Sequence, residues 1–180
     1  MAHTTRLALI DELTGLPNRR SISATFAAEV ARSRAGAGAV TVAIADLDRF
    51  KFYNDTYGHE AGDRILVEVA AALRESLRDA DSCGRFGGDE FLLVFSRTEE
   101  VEAIPLVERI RCRVEAVGRS LSAAFPGGRL SLSAGVATLR PEHGDACELL
   151  RRADRALYAA KQSGRNRVCR LANRGEADAR

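Results

Sequence analysis

The sequence contains no tryptophan, and aromatic residues make up only 6% of its 180 residues. So few rings argue against a surface on which nucleic-acid bases stack, and a net charge of +2 is too balanced to indicate a nucleic-acid partner. The most apolar stretch, residues 36–45, is far shorter than the ~20 residues that span a bilayer. Residues 1–15 lack the long apolar core of a signal peptide. We therefore expect a cytoplasmic protein with no membrane segment and no nucleic-acid polymer as a partner.

Cysteine is sparse and scattered, at positions 83, 112, 147 and 169. No two cysteines form a CxxC pair, and no cysteine–histidine cluster has the spacing of a zinc site. We expect reduced and mostly buried thiols.

Helical and strand patterns alternate along the chain, and a hydrophobic content of 46% suits one domain with a core of its own. Pro105 is expected in the first turn of its helix, and residues 84–95 are expected to form an antiparallel hairpin. These patterns predict an α/β fold, a mixed sheet with helices on its faces. The predicted helices lie within about 19–34, 60–78, 99–117 and 145–166, with Gly164 placed to end the last of them. The other strands cover 38–46, 129–139 and, at an edge, 167–171.

Acidic residues follow or join two of the predicted strands. Asp46 and Asp48 lie at the end of the first strand, and Asp89 and Glu90 lie in the hairpin turn. If the two strands are neighbours, three or four carboxylates meet at one edge of the sheet, where their mutual repulsion favours a divalent cation such as Mg²⁺. The alternative is a solvated acidic turn and a helix-capping aspartate, which either segment taken alone would favour.

Basic residues suited to phosphate lie near the predicted acidic edge. Lys161 and Arg165 are four residues apart at the end of the last helix and should share a face, and Lys51 follows the first strand. The alternative is that Lys161 and Arg165 only complement the helix dipole.

Several motifs together resemble the GGDEF domain of bacterial diguanylate cyclases. The turn reads Gly87-Gly88-Asp89-Glu90-Phe91, and further matching segments are DELTGLPNRR at 11–20, the DLDRFKFYNDTYGHEAGD stretch at 46–63, SAGVA at 133–137 and ADRALYAAKQSGRNRV at 153–168. The resemblance implies a domain over residues 11–170, after a short lead-in at 1–10 and before a polar tail at 171–180, which we expect to be disordered. It also implies a mostly antiparallel sheet flanked by helices, as in class III nucleotidyl cyclases.

The resemblance implies that two GTP molecules are condensed into cyclic di-GMP with release of two pyrophosphates. Two Mg²⁺ ions per active site are implied, with Mn²⁺ as the alternative metal. Asp46, Asp89 and the Leu47 carbonyl would bind metal. Asp89 or Glu90 would act as the base, and the alternative role of Glu90 is that of a further metal ligand. The implied substrate contacts are Asn54 and Asp63 to guanine, Lys161 and Arg165 to the β and γ phosphates, Phe50 and Lys51 beside the phosphates, His59 on the substrate side, and Gly87 and Gly88 close to the triphosphate.

The family resemblance also implies a homodimer, because each domain holds one GTP and two domains must face each other. A chain with almost nothing before residue 11 lacks an obvious dimerising segment, so we expect low or concentration-dependent activity. Arg78 and Asp81 have the spacing of the family's RxxD inhibitory site for the product, and Arg109 is expected to join them. A bare RxxD pattern also fits a charged helix end.

Other functions fit the sequence less well. A catalytically silent module that binds GTP or cyclic di-GMP would usually have a broken turn motif, whereas this chain keeps every carboxylate. A mixed or mononucleotide cyclic product is disfavoured by Asp63, which matches guanine. A purely structural protein would leave the gathered acids unexplained.

Overall fold

In the computed structural model, which describes residues 9–139 and 145–171, a five-stranded sheet has the order β2-β3-β1-β4-β5. Strands β1 to β4 pair antiparallel with their neighbours, and β5 runs parallel to β4 at the edge. This mostly antiparallel mixed sheet confirms the predicted fold class. The strands are β1 Val40–Asp48, β2 Ser82–Arg85, β3 Glu90–Ser96, β4 Ser131–Thr138 and β5 Val168–Arg170.

Helices cover both faces of the sheet, and this explains why β1 is buried along its whole length. Val42 and Ile44 of β1 pack in a core with α1 and α5, whereas Ala43 and Ala45 face a second core with α3 and α4. A strand covered on both sides reads as a continuous apolar run. The helices are α1 Arg19–Arg34, α2 Phe50–Tyr57, α3 His59–Ser76, α4 Glu100–Ser120 and α5 Ala146–Gln162.

Most predicted elements are present, with differences at their ends. Strand β1 continues to Asp48, two residues beyond the predicted end at Asp46, because it stays paired with β4 as far as Ser131. Pro105 lies at the sixth residue of α4 rather than in its first turn. Helix α2 was not predicted. The predicted polar tail lies, apart from Leu171, outside the described residues, as do residues 1–8 of the lead-in.

The expectation of mostly buried cysteines was wrong. Only Cys83 is buried, whereas Cys112 and Cys147 are exposed on helices α4 and α5 and Cys169 is half-buried on the edge strand β5. Burial raises the pKa of the Cys83 thiol to about 11, so this thiol is protonated at neutral pH. No helix within residues 9–139 and 145–171 is long and apolar enough to cross a membrane.

Candidate active site

The end of β1 and the hairpin turn before β3 lie side by side. Asp46 is the partner of Glu90 in the antiparallel register, and the Leu47 amide donates to the Asp89 carbonyl at 3.2 Å. The condition set by the sequence, that the two acidic segments be neighbours, is therefore met.

Asp46 has the strongest electrostatic perturbation at this edge. Its side chain is 11% exposed, and its carboxylate lies 2.8 Å from the Lys161 ammonium. Burial raises the pKa of Asp46 to about 6; Lys161 opposes this rise, and the charges of Asp89 and Glu90 add to it. A divalent cation at this buried carboxylate would offset the burial and the two negative charges that disfavour its ionised form.

The expected meeting of three or four carboxylates is not formed, and Asp48 is engaged elsewhere. Its carboxylate accepts hydrogen bonds from the Ser131 and Ser133 hydroxyls, each at 2.7 Å, and from the Asn166 amide at 3.0 Å. Across the part of the chain that the structure describes, no three His, Cys, Asp or Glu side chains are grouped closely enough to hold a metal ion. A metal at this edge would therefore rest on Asp46, on the turn, and on backbone or solvent oxygens.

A cavity of about 420 Å³ opens beside the turn, and we call it the substrate cavity because the resemblance implies substrate contacts for most of its lining. Its volume lies within the range of ordinary ligand pockets. It is lined by seven of the residues implied by the resemblance, together with Leu66 and Arg85. The seven are Phe50, Lys51, Asn54, His59, Asp63, Gly88 and Asp89.

Helices α2 and α3 supply the far wall of the substrate cavity. Asn54 lies on α2, Asp63 lies on α3, and the chain turns between the two helices at Gly58, whose φ of 85° favours glycine. A β-carbon on Gly62 would overlap the Asn54 side chain, so glycine at this position lets the two helices approach and sets where Asn54 lies. Sequence reasoning missed Gly62, although a glycine inside a helical pattern was a signal for it.

The hairpin turn has a different conformation from the one its two glycines suggest. Neither Gly87 nor Gly88 has a positive φ. A β-carbon on Gly87 would lie 2.7 Å from a Glu90 carboxylate oxygen, whereas one on Gly88 would meet nothing within 4 Å. Glycine at 87 therefore makes room for the Glu90 side chain, and Gly88 leaves the cavity side of the turn open.

Arg85 ties the turn to the start of the domain, and sequence reasoning missed it. Its guanidinium donates to the Gly88 carbonyl at 2.8 and 3.1 Å and to both carboxylate oxygens of Asp11 at 3.2 Å. Burial acts to raise the pKa of Asp11, but hydrogen bonds from Thr14 and the charge of Arg85 outweigh it, and the net shift is downward. Asp11 and Arg85 are 74 residues apart, so the local sequence around either residue does not indicate the pair.

Lys161 and Arg165 do not share a helical face, contrary to the expectation from their spacing. Helix α5 ends at Gln162, and Arg165 lies beyond it with a left-handed φ of 64°. Lys161 contacts Asp46, whereas Arg165 lines a different cavity next to Asp48. The two cations therefore approach the acidic edge from different sides.

Of the three residues of the expected inhibitory site, Arg78 and Asp81 lie in the loop between α3 and β2, and Arg109 lies on α4. The Arg78 amide donates to one Asp81 carboxylate oxygen at 3.2 Å, and Arg109 donates to the Ser76 carbonyl at 2.7 Å. The other carboxylate oxygen of Asp81 is buried without a hydrogen-bond partner. Burial raises the pKa of Asp81, although Arg78 and Arg109 both act to lower it.

Comparison with known proteins gives a consistent result. Residues 8–167 match the family model described as diguanylate cyclase, GGDEF domain. The chain is 41% identical over 162 residues to the diguanylate cyclase DgcP of Pseudomonas aeruginosa, covering 89% of this chain and 24% of that protein. It is 42% identical over 159 residues to the diguanylate cyclase DosC of Escherichia coli, covering 88% of this chain and 34% of DosC. The chain thus spans about a quarter to a third of these curated relatives.

A solved structure has the same fold. The coiled coil and GGDEF domain of DgcB from Caulobacter crescentus, in complex with c-di-GMP, superposes with a TM-score of 0.84 and 30% sequence identity. The match covers 93% of this chain and 88% of the DgcB chain.

Proposed function

This chain belongs to the GGDEF-domain family, and we propose that it is a diguanylate cyclase that condenses two GTP molecules into cyclic di-GMP and releases two pyrophosphates. The observation that carries the proposal is the substrate cavity, because Asn54, Asp63 and the acidic turn line the same space. A nucleotide bound there would have its base beside Asn54 and Asp63 and its reacting phosphates beside the acidic turn.

Guanine fits the far wall of the substrate cavity better than adenine does. The carboxylate of Asp63 would accept the N1–H and N2–H₂ donors of guanine together, and Asn54 would contact the same edge. Adenine has an acceptor at N1, which would repel Asp63 and leave it unpaired. A site of this kind discriminates by roughly 10⁴ in favourable cases.

The acidic edge suits the chemical step. In the proposed reaction the 3′-hydroxyl of one GTP attacks the α-phosphate of the other, the bond to the leaving pyrophosphate breaks, and Asp89 or Glu90 takes up the hydroxyl proton. Asp46, Asp89 and the Leu47 carbonyl would hold Mg²⁺, which supplies positive charge against the charge that develops on the phosphate. A cation on Asp46 would release Lys161 from its ion pair and leave its ammonium for the β and γ phosphates. Arg165 would contact the γ phosphate.

The active unit we propose is a homodimer. One chain presents one substrate cavity of about 420 Å³ beside one acidic turn, whereas the product has two equivalent halves. Two chains related by a two-fold axis would bring two GTP molecules head to tail, with each 3′-hydroxyl facing the other α-phosphate.

We also propose product inhibition through Arg78, Asp81 and Arg109. The buried, unpartnered oxygen of Asp81 supports a ligand there, since a guanine N–H would satisfy it. An Arg78→Ala variant should need a higher concentration of cyclic di-GMP for half inhibition. Unchanged sensitivity to added product would remove this part of the proposal.

The test of the main proposal is incubation of concentrated protein with GTP and Mg²⁺, followed by separation of the nucleotides. We expect cyclic di-GMP from the wild type, none from Asp89→Ala, and wild-type yield from Asp154→Ala, a matched control at an exposed aspartate of α5. If the wild type makes no product at any protein concentration but binds cyclic di-GMP through Arg78, the chain is a silent binding module and the cyclase proposal is wrong.

A further inference from the structure

A second cavity lies beyond the acidic edge, and we call it the arginine cleft. Its volume is about 540 Å³, and its walls come from the end of β1, the end of α4, the start of β4 and the turn after α5. Four arginines line it, namely Arg49, Arg119, Arg129 and Arg165. Only Arg165 among them belongs to the substrate contacts proposed above.

The positive charge of the arginine cleft is not balanced within it. The cleft contains two carboxylates, Asp48 and Glu115. Four guanidinium groups therefore face two carboxylates, and one of these, Glu115, is shared between Arg111, which does not line the cleft, at 3.2 Å and Arg119 at 3.7 Å.

The other three arginines are open to an anion. Within residues 9–139 and 145–171, the side chains of Arg49, Arg129 and Arg165 form no ion pair, and all three residues are exposed.

Strained backbone is concentrated at the same cleft. Arg49, Arg165 and Asn166 have φ values of 58°, 64° and 46° and are three of the four non-glycine residues with positive φ in the described chain. Such conformations persist only where the surrounding structure holds them in place, and they are concentrated at functional sites. Here Asp48 holds the Asn166 amide, and Arg111 donates to the Asn166 side-chain oxygen at 2.7 Å. In this conformation Arg49 and Arg165 both line the arginine cleft.

The chemistry of the walls selects the class of ligand. Guanidinium groups pair with phosphate oxygens in a fork geometry. Apart from Leu130 the lining is polar or glycine, and it contains no aromatic ring on which a base could stack. A small inorganic polyphosphate therefore fits the cleft better than a nucleotide does.

We propose that the arginine cleft is a binding site for inorganic pyrophosphate, placed to take the leaving group from the γ-phosphate end of the substrate through the shared residue Arg165. The identity of the anion as the leaving group rests on the proposed cyclase function. The binding site itself rests on the cleft and needs no turnover.

The test is calorimetric titration of the full chain with inorganic pyrophosphate, without GTP and without divalent metal. We expect saturable binding that weakens by roughly threefold to tenfold in Arg129→Gln, since one charged pairing is lost. Arg155→Gln, at an exposed arginine of α5 that does not line the cleft, is the matched control and should bind as the wild type does.

Two results would overturn the proposal. One is the absence of binding, and the other is equal affinity in Arg129→Gln and the wild type, with loss only in Arg165→Gln, which would confine pyrophosphate to the phosphate contacts of GTP. If binding depends on Arg129 while no cyclic di-GMP is ever made, the site stands and the proposed function falls. If cyclic di-GMP is made but Arg129→Gln binds pyrophosphate with the affinity of the wild type, the proposed function stands and the binding site falls.

Discussion

Asp48 should be a major contributor to stability, and two substitutions distinguish why. It is 3% exposed and accepts from Ser131, Ser133 and the Asn166 backbone amide. Asp48→Ala removes the acceptor. The two hydroxyls can rotate toward other partners, but the part-buried amide of Asn166 cannot, and leaving such a donor unsatisfied costs up to about 1–3 kcal/mol. Adding the lost charge-assisted bonds, we expect Asp48→Ala to lower the free energy of unfolding by about 3–4 kcal/mol.

Asp48→Asn should be much milder because the amide can satisfy all three partners. Its oxygen can take the position of Oδ2, which accepts from Ser131 and from the Asn166 amide. Its NH₂ group then takes the position of Oδ1, and the Ser133 hydroxyl can reverse its role and accept. Only the charge is lost, and we expect a cost of about 1 kcal/mol.

Urea unfolding at pH 7 measures both variants, and the prediction is the gap of about 2–3 kcal/mol between them. Initial rates measured over a range of GTP concentrations add a second readout. Asp48→Ala should also release the turn that positions Arg165, and it should therefore raise KM more than Asp48→Asn does. Equal destabilisation by the two substitutions would refute the reasoning, because it would mean that charge rather than hydrogen-bond geometry makes Asp48 matter.

Three further predictions concern the acidic edge, the sheet and the turn. The pKa of Asp46 is raised from 3.8 to about 6, so between these pH values the folded state binds more protons than the unfolded state, and stability falls as pH rises through them. Without divalent metal, Asp46→Asn should therefore be more stable than the wild type at pH 7–8 by up to about 3 kcal/mol, as measured by urea unfolding. At pH 4 this difference should be absent. A β-carbon on Gly135 would overlap the backbone of α5, so Gly135→Ala should cost about 3 kcal/mol and lower the Tm, whereas Gly88→Ala, with open space around it, should not. Arg85→Gln should loosen the turn and lower kcat/KM for GTP. A double-mutant cycle of unfolding free energies with Asp11→Asn should show a coupling energy of about 1 kcal/mol. Additive effects would mean that the ion pair is incidental.

Elements whose signals are local were predictable. Helix α1 has the bounds expected from its periodicity, and the Asn18 side chain caps it by accepting from the Ser21 amide at 3.1 Å. Strand β1 was found from its continuous apolar run. Both patterns depend on residues that are close in sequence, and the physical rules behind them are short-range.

Features set by distant partners could not be predicted. The orientation of Asp48 depends on Ser131 and Asn166, which are 83 and 118 residues away. The end of α5 is different, because it follows a local signal: Gly164 has a φ of 109°, and the Arg165 amide donates to the Ala160 carbonyl at 3.0 Å. The shared face that we expected from the spacing of Lys161 and Arg165 does not exist, since the helix ends at Gln162. The cysteine expectation failed for a different reason. A small thiol is buried only where its position on the helix or strand faces the core, and exposed positions tolerate a cysteine.

Asp46 and Asp48 show how environment assigns different roles to the same residue type on the same face of one strand. Side chains two residues apart in a strand point the same way, so the sequence offers two equal candidates for a metal ligand. Asp48 accepts hydrogen bonds from three neutral donors, the Ser131 and Ser133 hydroxyls and the Asn166 amide. Asp46 has one flexible ammonium against it and two further carboxylates near it, so its charge is the one that the fold leaves insufficiently compensated. A cation arriving at this edge would stabilise the charged form of Asp46, which burial chiefly disfavours and which the charges of Asp89 and Glu90 disfavour further.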